Sequence, residues 1–272
     1  MRIGGHEFHW GTRTYVMGIV NATPDSFSGD GALDPARAAE QAAQMVADGA
    51  ALIDIGAESS RPGAPAVDAA EEWGRLAPVL RAVRAAVLVP VSVDTAKAEV
   101  ARRALEAGAD AINDIHGLRG DAAMALLLAR AGCPAVLMHN QRGRVSSGDA
   151  IADARAGLEA SLELAERAGV ERSRLLLDPG FGFGWEVAQN LELLRRLGEL
   201  RALGRPLLVG SSRKSAIGAV LWRAEGERAW GTAATVALAV QGGADIVRVH
   251  DVREMAEVAR MADAVVRGWP PP

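Results

Sequence analysis

The chain has 272 residues, 49% hydrophobic and 24% charged, which is ordinary globular composition with ample material for a core. Its formal net charge of −4 excludes an overall basic field of the kind that attracts nucleic acid. The single cysteine, Cys133, excludes an internal disulfide and a Cys-rich zinc site; it fits a reducing compartment and reads as a small buried hydrophobe.

The N-terminal "MRIGGHEFHWGTR" lacks the apolar core of a signal peptide. Short apolar runs then alternate with Ala/Leu/Arg/Glu-rich stretches. The runs "TYVMGIVN" (14–21), "ALIDIGA" (51–57), "VPVSVDT" (89–95), "AINDI" (111–115), "AVLMHN" (135–140), "RLLLDPG" (174–180), "PLLVGSS" (206–212) and "DIVRVHD" (245–251) predict strands. Helices are predicted after each, among them 35–48, 97–107, 153–168, 186–201 and 252–266. Glycines in "ADGA", "EAGAD", "ERAGV" and "QGGAD" stand where a left-handed helix stop precedes the next strand. Consecutive apolar residues suit parallel strands covered on both faces. Eight such units predict an α/β fold, a (β/α)8 TIM barrel, as one domain over residues 1–272. A doubly wound open sheet would give the same local pattern. No apolar run reaches membrane-spanning length, so a soluble cytoplasmic protein with neither membrane nor nucleic-acid partner is expected. Residues 141–149, "QRGRVSSGD", read as a mobile loop.

Polar residues gather at the C-terminal strand ends, where parallel barrels keep their active sites. They are Asn21, Asp54 with Glu58, Asp94, Asn113 with Asp114, His139, Asp178, Ser211 with Ser212, and Arg248 with His250. Asp114 and Asp251 read as helix caps, the others as a shared pocket. Carboxylates and an Asn suit a flat heterocycle rich in N–H donors. Asn21, Arg248 and His250 suit an anion or a metal-bound phosphate. Two long loops, 22–35 and 58–68, read as lids, the second bringing Ser60 and Arg61 to a substrate. "GFGFG" (180–184) reads as an apolar wall. Positive charge is carried by 28 arginines against 2 lysines, so Lys214 beside Arg213 asks for a compact, rotatable point charge.

The stretches "MGIVNATPDSFSGDG", "DIGAESSRPGA", "SVDTAKAEVARRALEAGADAINDI", "LMHNQRG", "LDPGFGFG", "GSSRKSAIG" and "GTAATVALAVQGGADIVRVHDV" resemble, in order, the dihydropteroate synthases. The resemblance implies a transferase of folate biosynthesis that joins 6-hydroxymethyl-7,8-dihydropterin pyrophosphate to 4-aminobenzoate. It implies that Asp94, Asn113, Asp178 and Lys214 hold the pterin, with Met138 packed on its face. Asn21, Arg248 and His250 are expected to hold pyrophosphate and Mg²⁺, helped by Arg61. Ser60, Phe183 and Ser212 are expected to shape the 4-aminobenzoate subsite. Asp94, Lys214, Arg248 and His250 would carry catalysis, in a homodimer.

The chain departs from the family pattern at Gly29–Asp30, where the acid is shifted by one; at Ser60, where Thr is commoner; at Trp185, where a Lys at the pocket rim is usual; and in a shorter loop after "LMHNQRG". Two competing readings are a methyltetrahydrofolate-dependent methyltransferase barrel and a pterin-binding paralogue without catalysis. The "TPDSFS", "SSRPG" and "SRKS" stretches and the intact cationic set argue against them.

Overall fold

A computed structural model of the protein describes residues 1–23, 34–59 and 64–269. It opens with a two-stranded antiparallel hairpin, β1 (Arg2–Ile3) and β2 (His6–Glu7). Eight parallel strands follow: β3 (Tyr15–Asn21), β4 (Leu52–Gly56), β5 (Val91–Asp94), β6 (Ala111–Asp114), β7 (Ala135–Met138), β8 (Leu175–Asp178), β9 (Leu208–Val209) and β10 (Ile246–Val249). They pair in the order β8-β7-β6-β5-β4-β3-β10-β9, and a bridge between Leu177 and Leu207 brings the two ends together. The expected (β/α)8 barrel is the observed fold.

Helices α1 (Pro35–Ala47), α2 (Ala69–Ala86), α3 (Ala98–Glu106), α4 (Met124–Ala131), α5 (Ala150–Arg167), α6 (Val187–Arg195), α7 (Ser215–Leu221), α8 (Ala229–Gln241) and α9 (Val252–Val266) form the outer layer. The predicted glycine stops hold: Gly49, Gly108, Gly169 and Gly243 have φ of 110°, 100°, 86° and 88°. The helix expected over 186–201 instead ends at Arg195 and continues as a 3₁₀ stretch, Leu197–Leu203, which closes on left-handed Gly204.

Strand side chains alternate between two faces, and that alternation sorts the core. Val16, Ile53, Val91, Val93, Ile112, Leu137, Leu177 and Val247 belong to the layer that includes the helices. Tyr15, Met17, Leu52, Ala111, Val136, Leu176, Leu208 and Ile246 form a separate apolar layer with Ile3 and Phe8 from the hairpin. This second layer is the barrel floor, and the hairpin plugs it from below. Phe8 and Tyr15 meet at 4.7 Å between ring centroids, and Trp10 packs edge-on to Tyr15 at 5.6 Å.

Candidate active site

The floor positions fix what stands above them. Two residues beyond Leu52, Ala111, Val136, Leu176 and Ile246, on the same inward face, come Asp54, Asn113, Met138, Asp178 and Arg248. Strand register adds a row: Asn21 pairs with Gly56, Gly56 with Asp94, and Asp94 with Asn113. Met138 is in register with Asp178. The sequence therefore delivers a polar or ligand-facing side chain from seven of the eight barrel strands to the mouth, over an apolar base.

The same alternation takes His139 and Ser211 out of the expected pocket and leaves Asp114 and Asp251 outside it, as their structural reading expected. Asp114, His139, Ser211 and Asp251 are one residue out of phase and face the helices. Asp114 accepts the N–H groups of His116 and Leu118, capping a turn as expected of a structural residue. His139 is buried against Gly157 of α5 and leaves Nδ1 unpartnered, and burial above all lowers its pKa to about 4. Ser211 accepts from Thr235. Asp251 occupies the α9 N-cap position but makes no side-chain cap; its carboxylate pairs with Arg213, whose backbone is left-handed at φ 56°. Trp185 is no rim residue. It is 7% exposed, lies 5.4 Å from the His139 ring and donates Nε1–H to the Pro179 carbonyl.

Asp54 is the hub that strand-end reading undervalued. Fully buried, it accepts from Ser92 Oγ at 2.5 Å, Asn113 Nδ2 at 3.0 Å and Arg248 Nε at 2.6 Å. Arg248 also donates to Asp94 Oδ2 at 2.9 Å. A guanidinium thus cross-links two strand-end carboxylates, and the Asn113 amide is fixed by one of them. Inward parity of Asp54 was the signal available for finding it.

Charge in the mouth is poised close to neutrality. Burial pushes Asp94 up to about 7, against the pull of Arg248 and with help from Asp54 and Glu72. Burial likewise raises Asp178 to about 6, although it accepts the Gly180 N–H at 2.7 Å. Lys214 falls to about 8, from burial first and Arg248 second, with Asp178 and Asp94 resisting. Its ammonium sits 3.9 Å from the Phe183 ring centroid, so Lys214 faces the mouth although it occupies the α7 N-cap position. His250 is driven down to about 3 by burial and by Arg248 and Arg213, and is neutral at pH 7. Its Nδ1 is 3.0 Å from Ser212 Oγ, and its backbone N–H donates to the same oxygen at 3.2 Å.

Asn190 of α6 was not singled out by sequence and holds the 180–184 loop. Its Oδ1 accepts the Gly182 N–H at 2.6 Å, while its Nδ2 donates to the carbonyls of Trp185 and Glu186. Ser60, Arg61 and the Gly29–Asp30 departure lie outside the described residues, as do most of the first expected lid and part of the second. For a metal, no group of three or more His, Cys, Asp or Glu side chains among the described residues forms a cage. Asn21, half-buried at the end of β3, offers a single hard oxygen. That donor set fits Mg²⁺, which commonly keeps few protein ligands and takes substrate phosphates as the rest.

Comparison with known proteins is consistent with this arrangement. Residues 17–250 match the family described as pterin binding enzyme. The dihydropteroate synthase of Synechocystis is 47% identical, covering 97% of this chain and 94% of its own. A solved dihydropteroate synthase from Clostridium difficile, in the presence of pteroic acid, superposes with a TM-score of 0.92 at 45% identity, covering 96% of this chain and 100% of that one. The Xanthomonas albilineans enzyme with 4-aminobenzoic acid gives 0.89 at 42% identity, covering 95% and 94%. With the inward ring of acids, amide and cations already defined, these likenesses establish that the chain belongs to the dihydropteroate synthase family of pterin-binding enzymes.

Proposed function

We infer that the protein condenses 6-hydroxymethyl-7,8-dihydropterin pyrophosphate with 4-aminobenzoate, yielding 7,8-dihydropteroate and pyrophosphate. The observation that carries this reading is the ring of Asp54, Asp94, Asn113, Asp178, Lys214 and Arg248 set above an apolar floor. Asp178 and the Asp54-oriented Asn113 amide would take the amino-pyrimidine edge, and Lys214 the carbonyl and ring-nitrogen side. Met138 would pack on the pterin face. The C–O bond to pyrophosphate breaks and leaves a cationic methylene, which a nearby fixed Asp94 carboxylate stabilises. The arylamine nitrogen then forms the new C–N bond and releases its proton to solvent.

Arg248, neutral His250 with Ser212, and Asn21 would hold the leaving pyrophosphate, with Arg61 helping from the second loop. Mg²⁺, where bound beside Asn21, would supply charge neutralisation to that group. Ser60, Phe183 and Ser212 would border the arylamine, and Lys214 poised against Phe183 supports that assignment. A cytoplasmic homodimer completes the proposal. Buried, unpaired Cys133 suits the compartment, and an exposed apolar side of the barrel suits the dimer.

The test is pyrophosphate release with both substrates and Mg²⁺, wild type beside Lys214→Ala. Release should require 4-aminobenzoate and fall by about 10²-fold in the variant, the scale of losing one preorganised stabilising group. Pterin binding without release would overturn the synthase reading in favour of a silent paralogue.

A further inference from the structure

The stretch "SVDTAKAEV" carries Lys97, the other of the chain's two lysines, and the synthase reading gives it no task. Lys97 occupies the N-cap position of α3, where the helix dipole opposes a cation, and its side chain caps nothing. The first helical N–H group, that of Ala98, donates instead to Asp121 at 2.8 Å. Something other than the helix holds an ammonium there.

Two carboxylates from separate parts of the chain do so. Lys97 Nζ donates to Glu58 Oε2 and to Glu72 Oε2, each at 2.6 Å. Glu72 lies on α2 at 1% exposure, and its other oxygen has no hydrogen-bond partner among the described residues. A carboxylate so buried depends on Lys97 for its compensation. Glu58 follows β4, and its Oε1 accepts the Val67 N–H at 3.2 Å. An ammonium serves two acids arriving from different directions because its three donors rotate, whereas the flat fork of Arg suits one planar partner.

The cluster sits where the strand ladder stops. β4 and β5 are last in register at Gly56 and Asp94. Glu58 stands two residues beyond the first and Lys97 three beyond the second, so their ion pair continues the pairing into the loops. Between Asp94 and Lys97, Thr95 N–H donates to the Asn113 carbonyl at 3.1 Å, and Thr95 Oγ1 accepts the Lys97 N–H at 3.2 Å. The turn that carries Asp94 is thus tied to the end of β4, to α2 and to β6. Four charged groups face Asp94: Arg248 from β10, Asp54 from β4, Glu72 from α2 and Lys214 from the start of α7. Of the two acids, Asp54 is paired with Arg248 and Glu72 with Lys97.

Resting on the synthase reading above, we propose that Lys97 and Glu58 are positioning residues for Asp94: their ion pair, seated on Glu72, holds that carboxylate at the place where the methylene cation forms. They act through Asp94, by fixing the turn on which it stands and by compensating the buried acid that faces it.

The experiment compares wild type with Glu58→Gln and with the double variant Lys97→Met, Glu72→Met. Glu58→Gln keeps an oxygen for Val67 and leaves Lys97 on Glu72, so the buried acid stays compensated. The double variant replaces the buried pair by apolar side chains of similar length, an exchange that commonly preserves stability. In both, kcat for pyrophosphate release should fall roughly 10- to 100-fold, the range for displacing a reacting group by about 1 Å, with KM for 4-aminobenzoate unchanged. A kcat that is unchanged in either variant, or that falls only with the folded fraction, overturns the proposal. Calorimetric titration of the pterin pyrophosphate into the same proteins reads the placement of Asp94 without turnover, because Asp94 is also expected on the pterin. A wild type that binds this compound but releases no pyrophosphate would sink the synthase reading alone. The titration then decides for Lys97: an affinity lowered in both variants supports the tie to Asp94, and one equal to wild type ends it.

Discussion

Asp94 and Lys214 are both predominantly charged only within a narrow pH interval. Burial lifts Asp94 to about 7 and drops Lys214 to about 8. Below the first value the carboxylate needed beside a cationic methylene is protonated; above the second the ammonium is lost. The kcat/KM of the free enzyme should therefore be bell-shaped, with limbs near these two values. Asp94→Asn should remove the acid limb from whatever activity survives. A profile flat from about pH 5.5 to 9 would remove both groups from the roles given to them. The same shifts have a sign in stability. Asp94 is raised from 3.8, so its contribution is complete below that value and lost as pH rises through 7. Lys214 is lowered from 10.5, so its contribution is complete above that value and lost as pH falls through 8. Between the two, the empty mouth holds charges that burial opposes, and a bound polar heterocycle offsets that cost by pairing them.

At the scale of elements, the 180–184 loop depends on glycine for two separate reasons. Gly180 has φ of 75°, and a Cβ on it would come within 1.8 Å of the His139 carbonyl oxygen. Gly169, at φ 86°, has the same backbone demand but open space around it. Gly169→Ala should cost about 1–2 kcal/mol, the left-handed penalty alone. Gly180→Ala should cost more, because β7 or the loop must also shift, and it should raise KM for the pterin by moving Asp178 and Phe183. Denaturant unfolding of both variants checks this, and equal losses would show that the close approach is relieved cheaply. The strands and helices were legible because their apolar periods are long enough to read. Which strand-end residues reach the mouth was not, because it depends on strand phase. That phase is set by floor residues such as Leu52 and Leu176, whose partners lie far away in sequence. Without phase, His139 and Asp54 look alike at a strand end; with it, one backs onto α5 and the other anchors Arg248. Trp185 escaped for a related reason, since it packs in the loop after β8 against His139, which follows a different strand.

For the whole molecule, the hairpin closes the floor end of the barrel, and one side of the helical layer carries exposed apolar side chains. The N-terminal hairpin was invisible to periodicity because two-residue strands have none, and its worth lies in Phe8 meeting the floor. The exposed large apolar side chains include Val220, Leu221 and Trp222 at the end of α7, Trp230 and Leu238 on α8, and Met261 and Val265 on α9. These three helices are neighbours, α8 packing on both others. Trp222 is 91% exposed in a left-handed conformation that no buried contact repays, and Trp230 is 87% exposed. Soluble monomers seldom leave such a wall uncovered, whereas homodimer interfaces concentrate aromatic residues in this way. A second copy of the same wall is the simplest cover, since a two-fold axis makes one patch serve both subunits. Light scattering should give twice the 28.4 kDa chain mass at micromolar concentration. The double variant Trp222→Glu, Trp230→Glu should revert to one chain mass, because burying two carboxylates against their symmetry mates costs more than the interface gains. The mouth lies at the barrel end rather than on this wall, so the monomeric variant should keep its pterin site, with a melting temperature no longer dependent on concentration. A wild type that is monomeric in solution would leave the wall unexplained and end the dimer proposal.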